Sequence, residues 1–187
     1  GAQVALLVEE AAPSARGATF GGLALDPGFG QANPQTTAGD GGFAFAPPAG
    51  VYRLWVTADG YQPYRSAAVE VEDGSVNPTI ALTPVVNDPP DATIVMGEGG
   101  FDPDRLTVPP GTVIEWVNGD LAEHRVAAET WDSGVLWPGE RFRLRLDDAG
   151  EFVYGDGENP LHDGVVIVDP SAPPVGTRFI YLPVVAR

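Results

Sequence analysis

Cysteine is absent from this chain of 187 residues, and lysine is absent too: all 10 basic residues are arginine. Without cysteine there is neither a disulfide nor a thiol nucleophile, so stability has to come from core packing and association. Cysteine count alone assigns no compartment. Without lysine there is no Walker phosphate loop, no Schiff-base chemistry and no Lys–Asn cross-link. Histidine is scarce, with 2 residues, one short of the usual three-imidazole catalytic zinc. Basic charge is outweighed by 26 Asp and Glu, for a formal net charge of −16. That balance argues against nucleic acid as a partner, because binding phosphates needs a basic footprint. No apolar run approaches the length of a membrane span. The first residues show no basic region followed by a hydrophobic one, so an exported form is expected to have lost its signal already.

What the chain has in quantity is turn chemistry. Its 24 Gly and 19 Pro, with 43% hydrophobic residues, point to many short strands rather than long helices. The expected fold class is all-β: two β-sandwich domains in tandem plus a C-terminal extra strand. The expected boundaries are a first domain over 1–86, a linker over 87–91, a second domain over 92–169, and a linker with terminal strand over 170–187.

Residues 4–10 read as an opening strand. A turn at Asp40-Gly41-Gly42 leads into a predicted strand at Phe43-Ala44-Phe45. Pro47-Pro48-Ala49-Gly50 then leads into Val51 to Thr57, since Gly supplies positive φ and Pro presets the turn. On that strand Tyr52, Leu54 and Val56 share one face, and Arg53, Trp55 and Thr57 share the other. Trp55 therefore has three readings: a sugar platform, a lone exposed aromatic, or part of an interface. Residues 68–72 alternate, and Pro78 to Leu82 read as a returning strand.

In the second half Ile114 and Trp116 are expected to face the core, as are Phe142, Leu144 and Leu146. The opposite face of the latter strand carries Arg141, Arg143 and Arg145. These either dock on the acidic surface of another copy or pair with cross-strand carboxylates, a kind of pair that contributes little when exposed.

The order Asp-Gly-Gly-Phe-x-Phe, then Pro-x-x-Gly-Val-Tyr-x-Leu-x-Val-x-Ala-x-Gly-Tyr, resembles the carboxypeptidase regulatory-like domain. The resemblance implies a transthyretin-like sandwich of exported proteins, with a scaffold role and no catalytic residues. Residues 111–168 resemble a cupredoxin: a Gly turn into Ile-x-Trp-x-Asn, His124, Asp-Ser-Gly-Val-Leu-x-Pro-Gly-Glu over 132–140, and Ala-Gly-Glu-Phe-Val-Tyr over 149–154. Blue-copper members of that family place Cys, His and Met at fixed steps after the last Tyr. Counted from Tyr154, those positions hold Asp156, Asn159 and His162, so of the four ligands only His124 survives. The thiolate centre of an electron carrier cannot form. His124, His162 and Asp156, with Asn159 as a carbonyl oxygen donor, make a nitrogen and oxygen set suited to Cu(II) or Zn(II). The other reading is a relic site whose imidazoles are simply hydrogen-bonded. Acidic loops at 156–158 and 87–88 are weaker candidates for Ca²⁺, since no EF-hand loop is present.

The tail from Arg178 to Arg187 is apolar through Phe179, Ile180, Tyr181, Leu182, Val184 and Val185. Left exposed, such a strand aggregates, so it is expected to pair with its own chain or with another copy. Pro183 limits how fully it can ladder. No Gly-x-Ser-x-Gly elbow or His-Glu-x-x-His helix occurs, and no carboxylate pair stands out, so an enzyme is not expected. The sequence thus leads to an extracellular or cell-surface structural protein, a homopolymer built head to tail by terminal-strand exchange. The alternative is a secreted Cu(II)- or Zn-binding protein without blue-copper electron transfer.

Overall fold

The computed structural model describes residues 1–8, 19–20, 23–25, 32–72 and 78–176. The tail residues proposed for assembly, Phe179 to Val185, lie outside them, as do Glu9 and Glu10 of the opening strand. The described chain is all-β, without a helix. Its strands are β1 (Gln3–Val8), β2 (Thr19–Phe20), β3 (Leu23–Leu25), β4 (Gln35–Thr36), β5 (Gly50–Thr57), β6 (Tyr64–Arg65), β7 (Val69–Val71) and β8 (Ala92–Gly97). They continue with β9 (Gly100–Asp102), β10 (Arg105–Val108), β11 (Thr112–Asn118), β12 (His124–Ala128), β13 (Asp132–Leu136), β14 (Arg141–Leu146), β15 (Gly150–Asp156) and β16 (Asn159–Val168).

The C-terminal half is a β-sandwich of two sheets, ordered β10-β16-β15-β12-β13 and β14-β11-β8-β9. Alternation along each strand sends one set of side chains inward. Ile114, Trp116, Phe142 and Leu146 from one sheet meet Val126, Tyr154, Val166 and Val168 from the other. Trp116 lies at the centre, with ring centroids 5.2 Å from Trp131, 6.0 Å from Phe142 and 5.5 Å from Tyr154. The three arginines of β14 pair locally. Arg141 and Arg143 both bind the buried Glu115 on β11, at 2.6 and 2.7 Å, and Arg145 binds Asp88 in the connecting segment.

In the N-terminal half β1 pairs with β5 from Gln3↔Thr57 to Val8↔Tyr52, at the centre of the sheet β2-β3-β1-β5-β6. One face carries Val4, Leu6, Tyr52, Leu54 and Val56 against Phe43, Phe45, Ile80 and Leu82. Of the two predicted strands, the segment 43–45 has a single bridge residue, Phe45, and 78–82 is not a strand. Ile80 and Leu82 reach the core from a segment tied on by the Tyr61↔Pro84 bridge and the bond from Gln62 N to Thr83 O, 2.8 Å.

Side-chain amides complete several edges. The amide of Gln35 both donates to Ala44 O, 2.7 Å, and accepts from Ala44 N, 3.3 Å. On the far edge of β1, β4 pairs with Gln3 and Val4, and β3 with Leu7 and Val8. Asn33 fills the gap at Leu6, accepting from its N–H at 2.9 Å and donating to its carbonyl at 2.7 Å. Gln62 does the same for Arg143 on β14, at 3.0 and 2.7 Å. A primary amide carries the donor and acceptor of a peptide group, so it can stand in for a neighbouring strand.

The other face of the N-terminal sheet meets the C-terminal half. Ala5 and Leu7 are buried there with Trp55 and Trp137 packed against them. The Trp137-Pro138-Gly139-Glu140 turn, with Gly139 at φ 81, has Pro and Gly where a type II turn needs them. It presents Trp137 and Glu140 together to Arg65. The Arg65 guanidinium, 3% exposed, lies 4.7 Å from the Trp55 ring and 3.9 Å from the Trp137 ring. It donates to Glu140 at 2.8 and 3.2 Å and to Val135 O at 3.1 Å. Trp55 is therefore part of an interface, within its own chain.

Candidate metal centre

Three inward-facing alternations continue past the apolar core and end in polar side chains. On β12 the face of Val126 also carries His124. On β15 the face of Tyr154 carries Asp156, and on β16 the face of Val166 and Gly164 carries His162. The register pairs Val126 with Asp156 and Tyr154 with Gly164, which brings the three polar ends together. Gly164 is required here: a Cβ would lie 2.4 Å from the Tyr154 ring. A bulge at Gly155/Asp156 precedes the tight Gly157-Glu158 turn, a device that re-aims side chains at the end of a ladder.

One donor atom from each of His124, Asp156 and His162 lies within 4.8 Å of the others. His124 Nδ1 is 2.6 Å from Asp156 Oδ2, and His162 Nδ1 is 3.7 Å from the same oxygen. A metal with ligand bonds of about 2.1 Å holds its donors roughly 3.4 Å apart, a spacing bracketed by these two distances. The second oxygen of Asp156 is fixed by Arg125 N at 2.9 Å and Glu158 N at 3.0 Å. Oδ2 is thereby left for the imidazoles. On its far side His124 Nε2 faces Asp120 Oδ2 at 3.3 Å. Asp120 is held below the usual carboxylate range, first by the Leu121 N–H and then by His124. A carboxylate behind a ligating imidazole fixes the tautomer that leaves the other nitrogen free for metal.

His162 is the test of fit. Its side chain is 14% exposed, and its Nδ1 is shielded without a hydrogen-bond partner. It points toward the oxygen that His124 already engages. Asn159, expected as a fourth donor, does not join the cluster. Its amide lies 3.3 Å from His162 Nε2, on the far side of the ring, while its oxygen accepts from Leu161 N at 3.2 Å. The short Asx turn at the start of β16 holds it there. The donor set is two nitrogens and one carboxylate oxygen, which fits Cu(II) or Zn(II) and lacks the soft ligands that favour Cu(I).

No protein-family model matches this sequence, and none of the curated proteins does. Among solved structures the neighbours are cupredoxins. A purple cupredoxin from Nitrosopumilus maritimus is 25% identical, with a TM-score of 0.41, and the match covers 42% of this chain and 100% of that one. An amicyanin mutant in its Cu(I) form is 19% identical with a TM-score of 0.42, covering 45% of this chain and 86% of that one. The oxidised state of another amicyanin mutant gives 18%, 0.40, 42% and 81%.

Sequence reasoning brought His124, His162 and Asp156 together but missed their surroundings. Asp120 follows the Asn118 side chain that anchors the loop to Ala122 O and Leu136 O, both 2.8 Å, and its place four residues before His124 was the available signal. Glu123, just before His124, carried no signal because its partner Arg53 comes from the other half of the chain, and Arg125, just after it, pairs with Asp132, which Tyr64 of that other half reaches.

Proposed function

We propose that this protein binds one divalent transition metal, Cu(II) or Zn(II), through His124 Nδ1, Asp156 Oδ2 and His162 Nδ1. The observation that carries this reading is the shielded, unpartnered Nδ1 of His162, aimed at the oxygen its sister imidazole uses. A relic in which both rings were merely hydrogen-bonded would be expected to pair that nitrogen as well, since unpaired buried polar groups are costly. A bound metal supplies a Lewis-acid centre with no thiolate. The protein's residues hold it: Asp120 backs His124, the N–H groups of Arg125 and Glu158 steady Asp156, and Asn159 flanks His162 with its amide. The role is metal binding in an exported β-sandwich protein, with no reaction assigned to it. Equilibrium dialysis against Cu(II) and Zn(II) tests this. One equivalent is expected in the wild type, with a loss of affinity for His124→Ala or His162→Ala larger than the roughly 10- to 100-fold that removing an outer partner of a metal site costs. A wild type that retains no metal overturns it.

The apolar sequence over 178–187 supports a second reading, compatible with the first. In it the chain is a subunit of a head-to-tail extracellular assembly completed by that strand, with the metal as a stabiliser. Electron microscopy of the full chain beside a version lacking residues 178–187 tests this: filaments lost on deletion support it, and dispersed particles in both reject it.

A further inference from the structure

The strand that begins with His124 is gripped on both sides of that residue by the N-terminal half. Before it, Glu123 Oε2 receives Arg53 Nη2 of β5 at 2.9 Å. After it, the Arg125 guanidinium donates to both oxygens of Asp132, at 2.9 and 2.6 Å. Asp132 Oδ2 in turn accepts from the Tyr64 hydroxyl of β6 at 3.2 Å. Burial, reinforced by Asp132, pushes that hydroxyl up to about 12, so it stays a donor at neutral pH. The backbone of Arg125 then reaches the site directly. Its N–H donates to Asp156 Oδ1, and its carbonyl accepts from Gly157 N at 2.8 Å.

We propose that Arg53 and Tyr64 are positioning residues for the metal centre, so that docking of the N-terminal half and metal binding are thermodynamically coupled. This inference rests on the metal reading above. Neither residue touches the metal position. Arg53 sets where the chain enters His124, and Tyr64, through Asp132 and Arg125, sets where it leaves and how Asp156 is held. The interface leaves little room to re-seat. Gly134, at φ +65, has Arg65 O only 2.6 Å and the Tyr64 ring 2.9 Å from where a Cβ would stand. Two halves that share one fixed strand exchange free energy in both directions: whatever tightens the metal tightens docking, and the reverse. Outer partners of this kind change metal affinity by about 10- to 100-fold when removed.

The test uses the full chain with Zn(II) and Cu(II) as probes. Glu123→Gln removes the charge that Arg53 holds but keeps the shape, and Tyr64→Phe removes one hydroxyl; both leave the two cores intact. Each is expected to weaken Zn(II) binding by about tenfold, in the range set by outer partners, and to change the Cu(II) electron paramagnetic hyperfine pattern. Zn(II) is expected to slow amide exchange across Tyr64–Ser66 in the wild type, and to leave it unchanged in His162→Ala. Equal affinity and spectra in wild type, Glu123→Gln and Tyr64→Phe, with exchange at Tyr64–Ser66 indifferent to Zn(II), overturn the coupling while leaving the metal site standing. Absence of metal binding in the wild type overturns both, and so separates the two failures.

Discussion

In the C-terminal sandwich two sheets turn their apolar faces toward each other and bury Trp116, Trp131, Phe142 and Tyr154 between them. In the N-terminal half one sheet is covered on both faces. Extended segments bearing Phe43, Phe45, Ile80 and Leu82 pack one side, and Ala5, Leu7 and Trp55 meet Trp137 on the other. The first arrangement closes its core with its own residues. The second depends for one face on a turn that belongs to its neighbour. The polar contacts follow the same division: the Glu115 pairs stay within one sheet, whereas the pairs of Arg53 and Arg65 join the halves. Damage to the C-terminal core should therefore destabilise both halves, and damage to the interface mainly the first.

The strongest test of that asymmetry is Trp116→Ala, which empties the centre of the aromatic cluster. A cost of about 3–5 kcal/mol is expected, with both halves melting together at a lower temperature. Next comes Glu140→Ala, which leaves Arg65 between two indoles without its carboxylate. Removing one partner of a buried pair is strongly destabilising, but Glu140 is partly exposed, so about 2 kcal/mol is expected. The loss should appear as early amide exchange in the N-terminal half, with the C-terminal melting transition nearly unmoved. A common shift of both transitions would show that the halves are equally interdependent.

Acid should reveal the same order. Burial alone would raise the carboxyls of Asp132 and Glu140, but their bonds to Arg125 and Arg65 hold both below their usual values. Groups depressed in the folded state contribute stability that is complete above their unfolded values. They lose it as pH falls through the lower folded ones. The interface is thus expected to be intact above about pH 5 and to loosen below about pH 4, given ordinary carboxyl values near 4. Near-ultraviolet dichroism of Trp55 and Trp137 should change before that of Trp116; the opposite order would break the comparison. The smallest effect is expected from Arg145→Ala, whose partner Asp88 is exposed. About 0–1 kcal/mol should be lost in chemical denaturation, and a larger loss would mean that the connecting segment helps to orient the halves.

Much of the sandwich was legible from periodicity. The inward positions of Ile114, Trp116, Phe142 and Leu146 follow from alternation with period two, as do those of Tyr52, Leu54 and Val56. Phe43 to Phe45 form a single bridge at Phe45 rather than a full strand, and the Gln35 amide pairs both backbone groups of Ala44. Side-chain amides leave no periodic trace. In the site, His124, Asp156 and His162, which lie within 4.8 Å of one another, were named by what the family resemblance of residues 111–168 implies, but the place of Asn159 was not. A single Asx turn moved it to the far side of the imidazole.

The sequence by itself determined the all-β class, the thiol-free donor set and the apolar face of each strand, because composition and alternation act locally. It also excluded whole chemistries, since a missing residue type is missing in every conformation. Only the tertiary structure decided what covers the second face of the N-terminal sheet and what holds His124 from either side. Those contacts join Arg53 to Glu123 and Tyr64 to Asp132, residues separated by about seventy positions. Neither alternation nor turn chemistry encodes which strand will lie opposite at that distance; the docking of two packed surfaces does.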